Sequence, residues 1–245
     1  MVTAAQIKFV RSLSEKKIRN ENSLFVAEGS KLINDLAKTK LVIEQIFALE
    51  GAPVDFDSLG VTRVSNKEMS RMSNLKTPSD AIAMVGMPSK QELEFSGLSI
   101  MLDGIQDPGN IGTIIRIADW FGIKRIICSE NCADCFAPKV VQATMGSIAR
   151  VDVYYTDLLK VLESAVQQGI GIFGTFLEGE NIYQSTLPAS GIIVMGNEGR
   201  GISAQVAEKV TNKLLIPAFD SSGNHCESLN VAAATAIICS EFRRR

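Results

Sequence analysis

The feature that most constrains this chain is an alternation that begins at Leu98. Short apolar runs at Ile100–Leu102, Arg125–Cys128, Gly171–Leu177, Ile192–Met195 and Leu214–Phe219 alternate with helical patterns at 112–121, 138–146, 157–168, 203–210 and 230–242. The strand runs are almost continuously apolar, as in strands buried on both faces. Strand–helix alternation of this kind predicts an α/β fold with a parallel sheet covered by helices. Ligands of such sheets bind beyond the carboxyl ends of the strands, so the loops leaving those strands are the places to search for chemistry.

The N-terminal part has a different texture. It reads as a basic helix over residues 3–20, a strand Leu24–Glu28 ending at Gly29 and a helix Ser30–Ala37. Strands follow at Val42–Leu49, Val61–Val64 and Ala81–Met87, with a helix Lys67–Met72 among them. Pro88 to Gly97 is polar, mostly charged and punctuated at both ends, which marks a linker. The organisation expected is a small α/β domain at 1–88, a linker at 89–97 and a larger α/β domain at 98–245.

Bulk properties exclude several classes. A hydrophobic fraction of 46% with 21% charged residues describes a globular protein. No apolar run approaches the length of a membrane span. Met1 to Lys17 gains charge where a signal peptide would be apolar, so a cytoplasmic setting is expected. The formal net charge of −2 does not by itself point to nucleic acid. Locally, Lys8, Arg11, Lys16, Lys17 and Arg19 cluster near the start, and Arg243-Arg244-Arg245 closes the chain. Such clusters can contact phosphates, but solvated helix faces and frayed tails look the same. Cys128, Cys132 and Cys135 have the C-x3-C-x2-C spacing of a radical-chemistry iron–sulfur site. Too little chain follows for a barrel-sized domain, so buried thiols are the simpler reading. His225, the single histidine, offers little to a zinc site, and no metal is expected.

Three loops carry candidate chemistry. The first follows the run Ile100–Leu102: Asp103, Gly104 and Asp107-Pro108-Gly109-Asn110 open a helix on which Ile114, Ile117, Ala118 and Phe121 form an apolar stripe and Arg116 lies roughly opposite. The second is Val194-Met195-Gly196-Asn197-Glu198-Gly199-Arg200-Gly201, glycine-rich but neither a phosphate loop nor a dinucleotide fingerprint. The third is Ile216-Pro217, a polar loop, then Glu227-Ser228-Leu229-Asn230-Val231-Ala232, where Ser228 or Asn230 opens an alanine-rich helix. Singly, each residue has an ordinary explanation as a helix cap, a turn carboxylate or a solvated arginine.

In combination, order and spacing, these motifs resemble those of the SpoU (TrmH) RNA 2′-O-ribose methyltransferases of the SPOUT superfamily. The resemblance covers residues 98–245, and Phe25-Val26-Ala27-Glu28-Gly29 resembles the L30e-like substrate-binding domain that many members carry. It implies a C-terminal parallel-sheet domain threaded into a trefoil knot, an exception to un-knotted topology. It implies S-adenosyl-L-methionine as cofactor, near Thr175, Met195, Gly196, Asn197, Gly201, Ile216 and Leu229. It implies catalytic positions at Arg116, Asn110, Glu198, Ser228 and Asn230, and a homodimer formed through the knot domain. The implied substrate is structured RNA, ribosomal RNA ahead of tRNA, with a non-catalytic RNA-binding protein as the alternative. Methyl transfer to a ribose needs a positioned 2′-oxygen and removal of its proton. A guanidinium stays charged, so Arg116 is better suited to anchoring phosphate and stabilising developing alkoxide than to accepting the proton. The sequence departs from the shortest members in the long loop Ala218–Cys226, which contains His225, and in Ala232 where many members have serine.

Overall fold

The computed structural model describes residues 2–54, 60–89, 92–220 and 226–244. His225 and the middle of the Ala218–Cys226 loop lie outside the described residues. In chain order the elements are α1 (Ala4–Ser12), α2 (Lys16–Asn22), β1 (Leu24–Glu28), α3 (Ser30–Ala37), β2 (Ile43–Ala48), β3 (Val61–Arg63), α4 (Asn66–Met72) and β4 (Ala81–Gly86). There follow β5 (Leu98–Asp103), α5 (Pro108–Trp120), β6 (Arg125–Cys128), α6 (Pro138–Thr144), β7 (Asp152–Tyr155), α7 (Leu158–Gln167), β8 (Ile172–Asn181), β9 (Gly191–Gly196), α8 (Ala204–Ala207), β10 (Asn212–Leu215) and α9 (Val231–Arg244). They form two compact units, one of Met1–Lys90 with Asp134–Arg150, the other of Gln91–Ala133 with Val151–Arg245.

The first unit carries a mixed sheet in the order β1-β4-β2-β3. Ile7, Val10, Leu13, Val26, Phe47, Met69, Met72 and Ile82 make a core on one of its faces. The predicted basic helix over 3–20 is two helices. Part of its charge is structural: Arg19 is 2% exposed, its Nη2 lies 2.6 Å from Asp134 Oδ2, and its Nη1 donates to Leu13 O and Ser14 O. Phe136 packs its ring on Phe25 with centroids 5.1 Å apart. These two contacts build the segment 134–150 into this unit, a division that the composition break at 89–97 does not announce.

The second unit carries a six-stranded sheet in the order β10-β8-β9-β5-β6-β7, parallel throughout. Its central strands are fully buried at Ile100, Met101, Leu102, Ile126, Ile127, Ile193 and Val194, as expected where helices cover both faces. Edge strand β7 has no counterpart in the sequence reading, because Asp152-Val153-Tyr154-Tyr155 is short and only partly buried. Strand β10 is shorter than the expected Leu214–Phe219 and ends at Leu215. Strand β8 is longer than expected. Lys213 pairs with Gly174 and Leu214 with Glu180, so residues 175–179 leave the ladder between these two pairings. No helix among the described residues is long and apolar enough to cross a membrane.

Candidate active site

In a parallel sheet the carboxyl ends of neighbouring strands share one edge. The register sets Asp103 of β5 beside Gly196 of β9, and Gly174 of β8 beside Val194. Thr175, Met195, Gly196 and Asp103 therefore meet at one edge of the sheet, and all three loops singled out in the sequence start from or return to it. Thr175 is half-buried and donates its Oγ1 to Val194 O at 3.3 Å, while Met195 is buried.

Helix α5 begins four residues earlier than its apolar stripe indicates. Asp107 is the N-cap, accepting the Asn110 N–H at 2.8 Å, and Pro108 fills the first position, where a missing N–H costs nothing. Asn110 thus stands inside the first turn and not in a turn preceding the helix. The buried face is Ile111, Gly112, Ile114, Ile115 and Ala118, with Ile117 and Phe121 only partly covered.

The second loop folds back on itself. Asn197 and Gly201 exchange two backbone hydrogen bonds of 2.9 Å, and Gly201 adopts φ +67°. Gly196 is required here because a Cβ would collide with the backbone of Gly201 and Ile202. The Asn197 side chain is fully used: Nδ2 donates to Gly104 O at 2.7 Å, and Oδ1 accepts from the N–H of Gly199 at 3.0 Å and of Arg200 at 3.1 Å. Asp103 adds a clamp by accepting the Ser203 N–H on Oδ2 at 2.7 Å. Asp103 and Asp107 were legible only as motif letters; their holding function needed the fold.

The third loop contributes Asn230. Its Oδ1 accepts from the N–H groups of Ala232 at 2.9 Å and Ala233 at 3.2 Å, which makes it, and not Ser228, the cap of α9. Its Nδ2 donates to Asn110 Oδ1 at 3.0 Å, and Asn110 Nδ2 donates to Glu198 Oε1 at 2.9 Å. Glu198 Oε2 accepts from Asn197 Nδ2 at 3.3 Å. One residue from each loop is therefore joined in a directional relay. A carboxylate that only accepts stands at one end and helix N–H groups that only donate stand at the other, so neither amide can be turned round.

Other predicted positions are not drawn into the relay. Ser228 and Leu229 are exposed just before α9, Leu229 by 48%, and Ile216 is half-buried just beyond β10. Arg116 lies past the middle of α5. Six residues from Asn110 is about 9 Å along the axis and on another side of the helix. It is exposed, with no hydrogen bond or ion pair among the described residues, between Thr113 and Trp120 on the solvent face of α5. Trp120 is 85% exposed.

The donor set suits S-adenosylmethionine. Ile216, half-buried, and Leu229, exposed, offer apolar side chains, and the glycines of the second loop leave backbone amides and carbonyls open, the kinds of group an adenine ring calls for. Among the described residues no group of three or more His, Cys, Asp or Glu is placed to hold a metal ion. Cys128, Cys132 and Cys135 are buried, and none is in a disulfide.

Comparison with known proteins agrees with this geometry. Over 242 residues the chain is 28% identical to the 23S rRNA (guanosine(2553)-2'-O)-methyltransferase RlmP of Bacillus subtilis, covering 97% of this chain and 96% of that one. A TrmH-family structure from Porphyromonas gingivalis superimposes with a TM-score of 0.88 at 41% identity, covering 100% of this chain and 99% of that one. The S-adenosylmethionine-bound rRNA methyltransferase of Sinorhizobium meliloti superimposes with a TM-score of 0.82 at 26% identity, covering 100% and 97%. Residues 4–83 match the MRM3-like substrate binding domain. Residues 97–240 match the SpoU rRNA Methylase family, and with the three motifs joined at one sheet edge the chain belongs to that family.

Proposed function

We propose that this chain methylates a ribose 2′-hydroxyl in ribosomal RNA, using S-adenosylmethionine. The observation that carries the reading is the relay Asn230–Asn110–Glu198, which locks the three family motifs together at the carboxyl edge of a parallel sheet. The cofactor supplies an electrophilic methyl group. The protein must then hold the ribose in line, stabilise charge on its oxygen and keep water away.

Thr175, Met195, Gly196, Asn197, Gly201, Ile216 and Leu229 hold the cofactor. For Asn197 this means its backbone, since its side chain is committed to the loop. Asn110, Glu198 and Asn230 keep the loops in register, and Ser228, exposed beside them, is free to meet substrate. Glu198 accepts from Asn110 on one oxygen and from Asn197 on the other, which makes it an orienting group. Arg116 anchors a phosphate of the target nucleotide and stabilises the developing alkoxide.

Arg116 takes no part in the relay of its own subunit and lies exposed further along α5. Its neighbour Trp120 is an exposed aromatic of the kind that partner subunits cover. Both features support a homodimer through the domain formed by residues 98–245, in which the exposed face of α5 completes the partner's site. Residues 1–88 form the RNA-binding domain, joined by the linker at 89–97. Threading into a trefoil knot and a cytoplasmic setting belong to the same reading. The test is calorimetric titration with S-adenosylmethionine, followed by transfer of a labelled methyl group to ribosomal RNA and identification of the product nucleoside. Binding with formation of a 2′-O-methyl nucleoside supports the proposal; neither binding nor transfer overturns it.

A further inference from the structure

The three loops at the carboxyl edge of the sheet carry an uneven charge. Residues 103–110, 196–203 and 216–230 contain the carboxylates Asp103, Asp107, Glu198, Asp220 and Glu227, with Arg200 as the one lysine or arginine. Each nucleotide of an RNA strand brings a further negative charge to this edge, and the loops offer a single permanent cation to meet it. Lys213, shortly before the third loop, lies over the Phe176 ring at 5.1 Å from its centroid and is engaged there.

The backbone fixes where this arginine stands. Asn197 and Gly201 close the second loop with their paired hydrogen bonds, and the Arg200 N–H donates to Asn197 Oδ1 at 3.1 Å. The same Asn197 side chain donates to Gly104 O, at the start of the first loop. Arg200 is thus tied to the residue that joins the first two loops, and it stands two positions after Glu198, the carboxylate end of the relay. Its side chain is exposed and has no hydrogen bond or ion pair among the described residues. Glu198 spends its oxygens on Asn110 and Asn197 instead. The backbone is pinned, and the guanidinium is left to a ligand.

We propose that Arg200 is a substrate-binding residue that holds a phosphate flanking the target ribose, from the same subunit whose relay orders the loops. The assignment rests on the function proposed above and adds a contact to it. A guanidinium presents parallel N–H donors to two phosphate oxygens, a fork that lysine lacks. The phosphate keeps its charge throughout methyl transfer, so the contact is equally strong before and during the reaction. It therefore serves capture and register of the RNA and not the chemical step. The two arginines divide the strand between them: Arg116 stands further along α5, outside the relay, and Arg200 grips beside it.

The test compares the full-length wild type, Arg200→Ala and Arg200→Lys, with Lys160→Ala on α7 as a charge control. Methyl transfer to ribosomal RNA from cells lacking the protein is measured over a salt series, beside direct binding of that RNA and calorimetric titration with S-adenosylmethionine. Arg200→Ala should keep its cofactor affinity and its kcat, while KM and Kd for the RNA rise by about tenfold to a hundredfold. The slope of log affinity against log salt should flatten by roughly 0.7–0.9, the share of one phosphate contact. Arg200→Lys should keep the slope and recover part of the affinity, and Lys160→Ala should match the wild type. Unchanged RNA affinity and salt slope in Arg200→Ala overturn the proposal. So does a loss of cofactor affinity with RNA binding intact, since the arginine would then serve the carboxylate of the cofactor. A fall in kcat alone overturns it as well. A wild type that binds the RNA and methylates none of it would sink the earlier functional reading, while the binding measurements still decide Arg200. No RNA binding by the wild type would sink both.

Discussion

Asn230 donates its side-chain amide to Asn110 Oδ1 at 3.0 Å, and in doing so fastens the first turn of α9 to the first turn of α5. The far ends are fastened too, since Arg243 Nε donates to Phe121 O at 2.8 Å. The two helices are therefore parallel and pinned at both ends, so the relay to Glu198 rests on a rigid pair. The basic C-terminal cluster is in part a helix brace: Arg243 satisfies carbonyls at the end of α5, and Arg244 pairs with Glu241 at 2.8 Å.

Asn230→Asp separates capping from relay. The new carboxylate still accepts the N–H groups of Ala232 and Ala233, so α9 keeps its cap. It cannot donate to Asn110, and turning Asn110 round would set two acceptors together at Glu198. Thermal stability should change by less than about 1 kcal/mol, while methyl transfer drops sharply. Asn230→Ala, losing both functions, should fall on both measures.

Arg116→Ala should leave S-adenosylmethionine affinity unchanged, because the residue is exposed and bonded to nothing among the described residues of its own subunit. Transfer should fall by about 10²–10³-fold, the usual effect of removing a group that stabilises developing oxyanion charge. Calorimetry beside a methyl-transfer assay reads both. Unchanged turnover would remove Arg116 from the mechanism.

Asp134→Ala leaves the Arg19 guanidinium buried at 2% exposure without its carboxylate. The expected loss is about 3–5 kcal/mol in urea unfolding. A double replacement of Arg19 and Asp134 by apolar residues of similar volume should recover much of it, since no uncompensated charge remains.

Glu28 is 2% exposed, and burial raises its carboxyl above the ordinary 4.5 despite hydrogen bonds from Ser73 and the Asn74 N–H. A raised carboxyl favours the protonated folded state. The wild type therefore loses stability as pH rises from 4.5 through the folded value, and carries the full penalty at neutral pH. Glu28→Gln removes the titration. Its unfolding midpoint should exceed that of the wild type at pH 7, and the difference should shrink on acidification toward pH 4.

Much of the second unit was legible because buried parallel strands leave apolar runs: Arg125–Cys128 is predicted and found with the same bounds. Strand β7 escaped because an edge strand with Asp152 and two partly exposed tyrosines carries little periodic signal. The start of α5 was misplaced because its first turn, Pro108-Gly109-Asn110, contains poor helix formers that a cap and a proline at the first position nevertheless organise. Asn110, Glu198 and Asn230 were legible as motif residues, but 88 and 120 positions separate the bonded pairs, so the relay appears only in three dimensions. Arg19 reads in sequence as a surface charge, since its partner Asp134 is 115 positions away.

Methylation of a ribose in ribosomal RNA is tested most directly by mapping 2′-O-methyl groups in total RNA from cells with and without this protein. A ribosomal RNA 2′-O-methyl site should disappear with the protein and return on re-expression of the wild type but not of Arg116→Ala. An unchanged 2′-O-methyl map would contradict it.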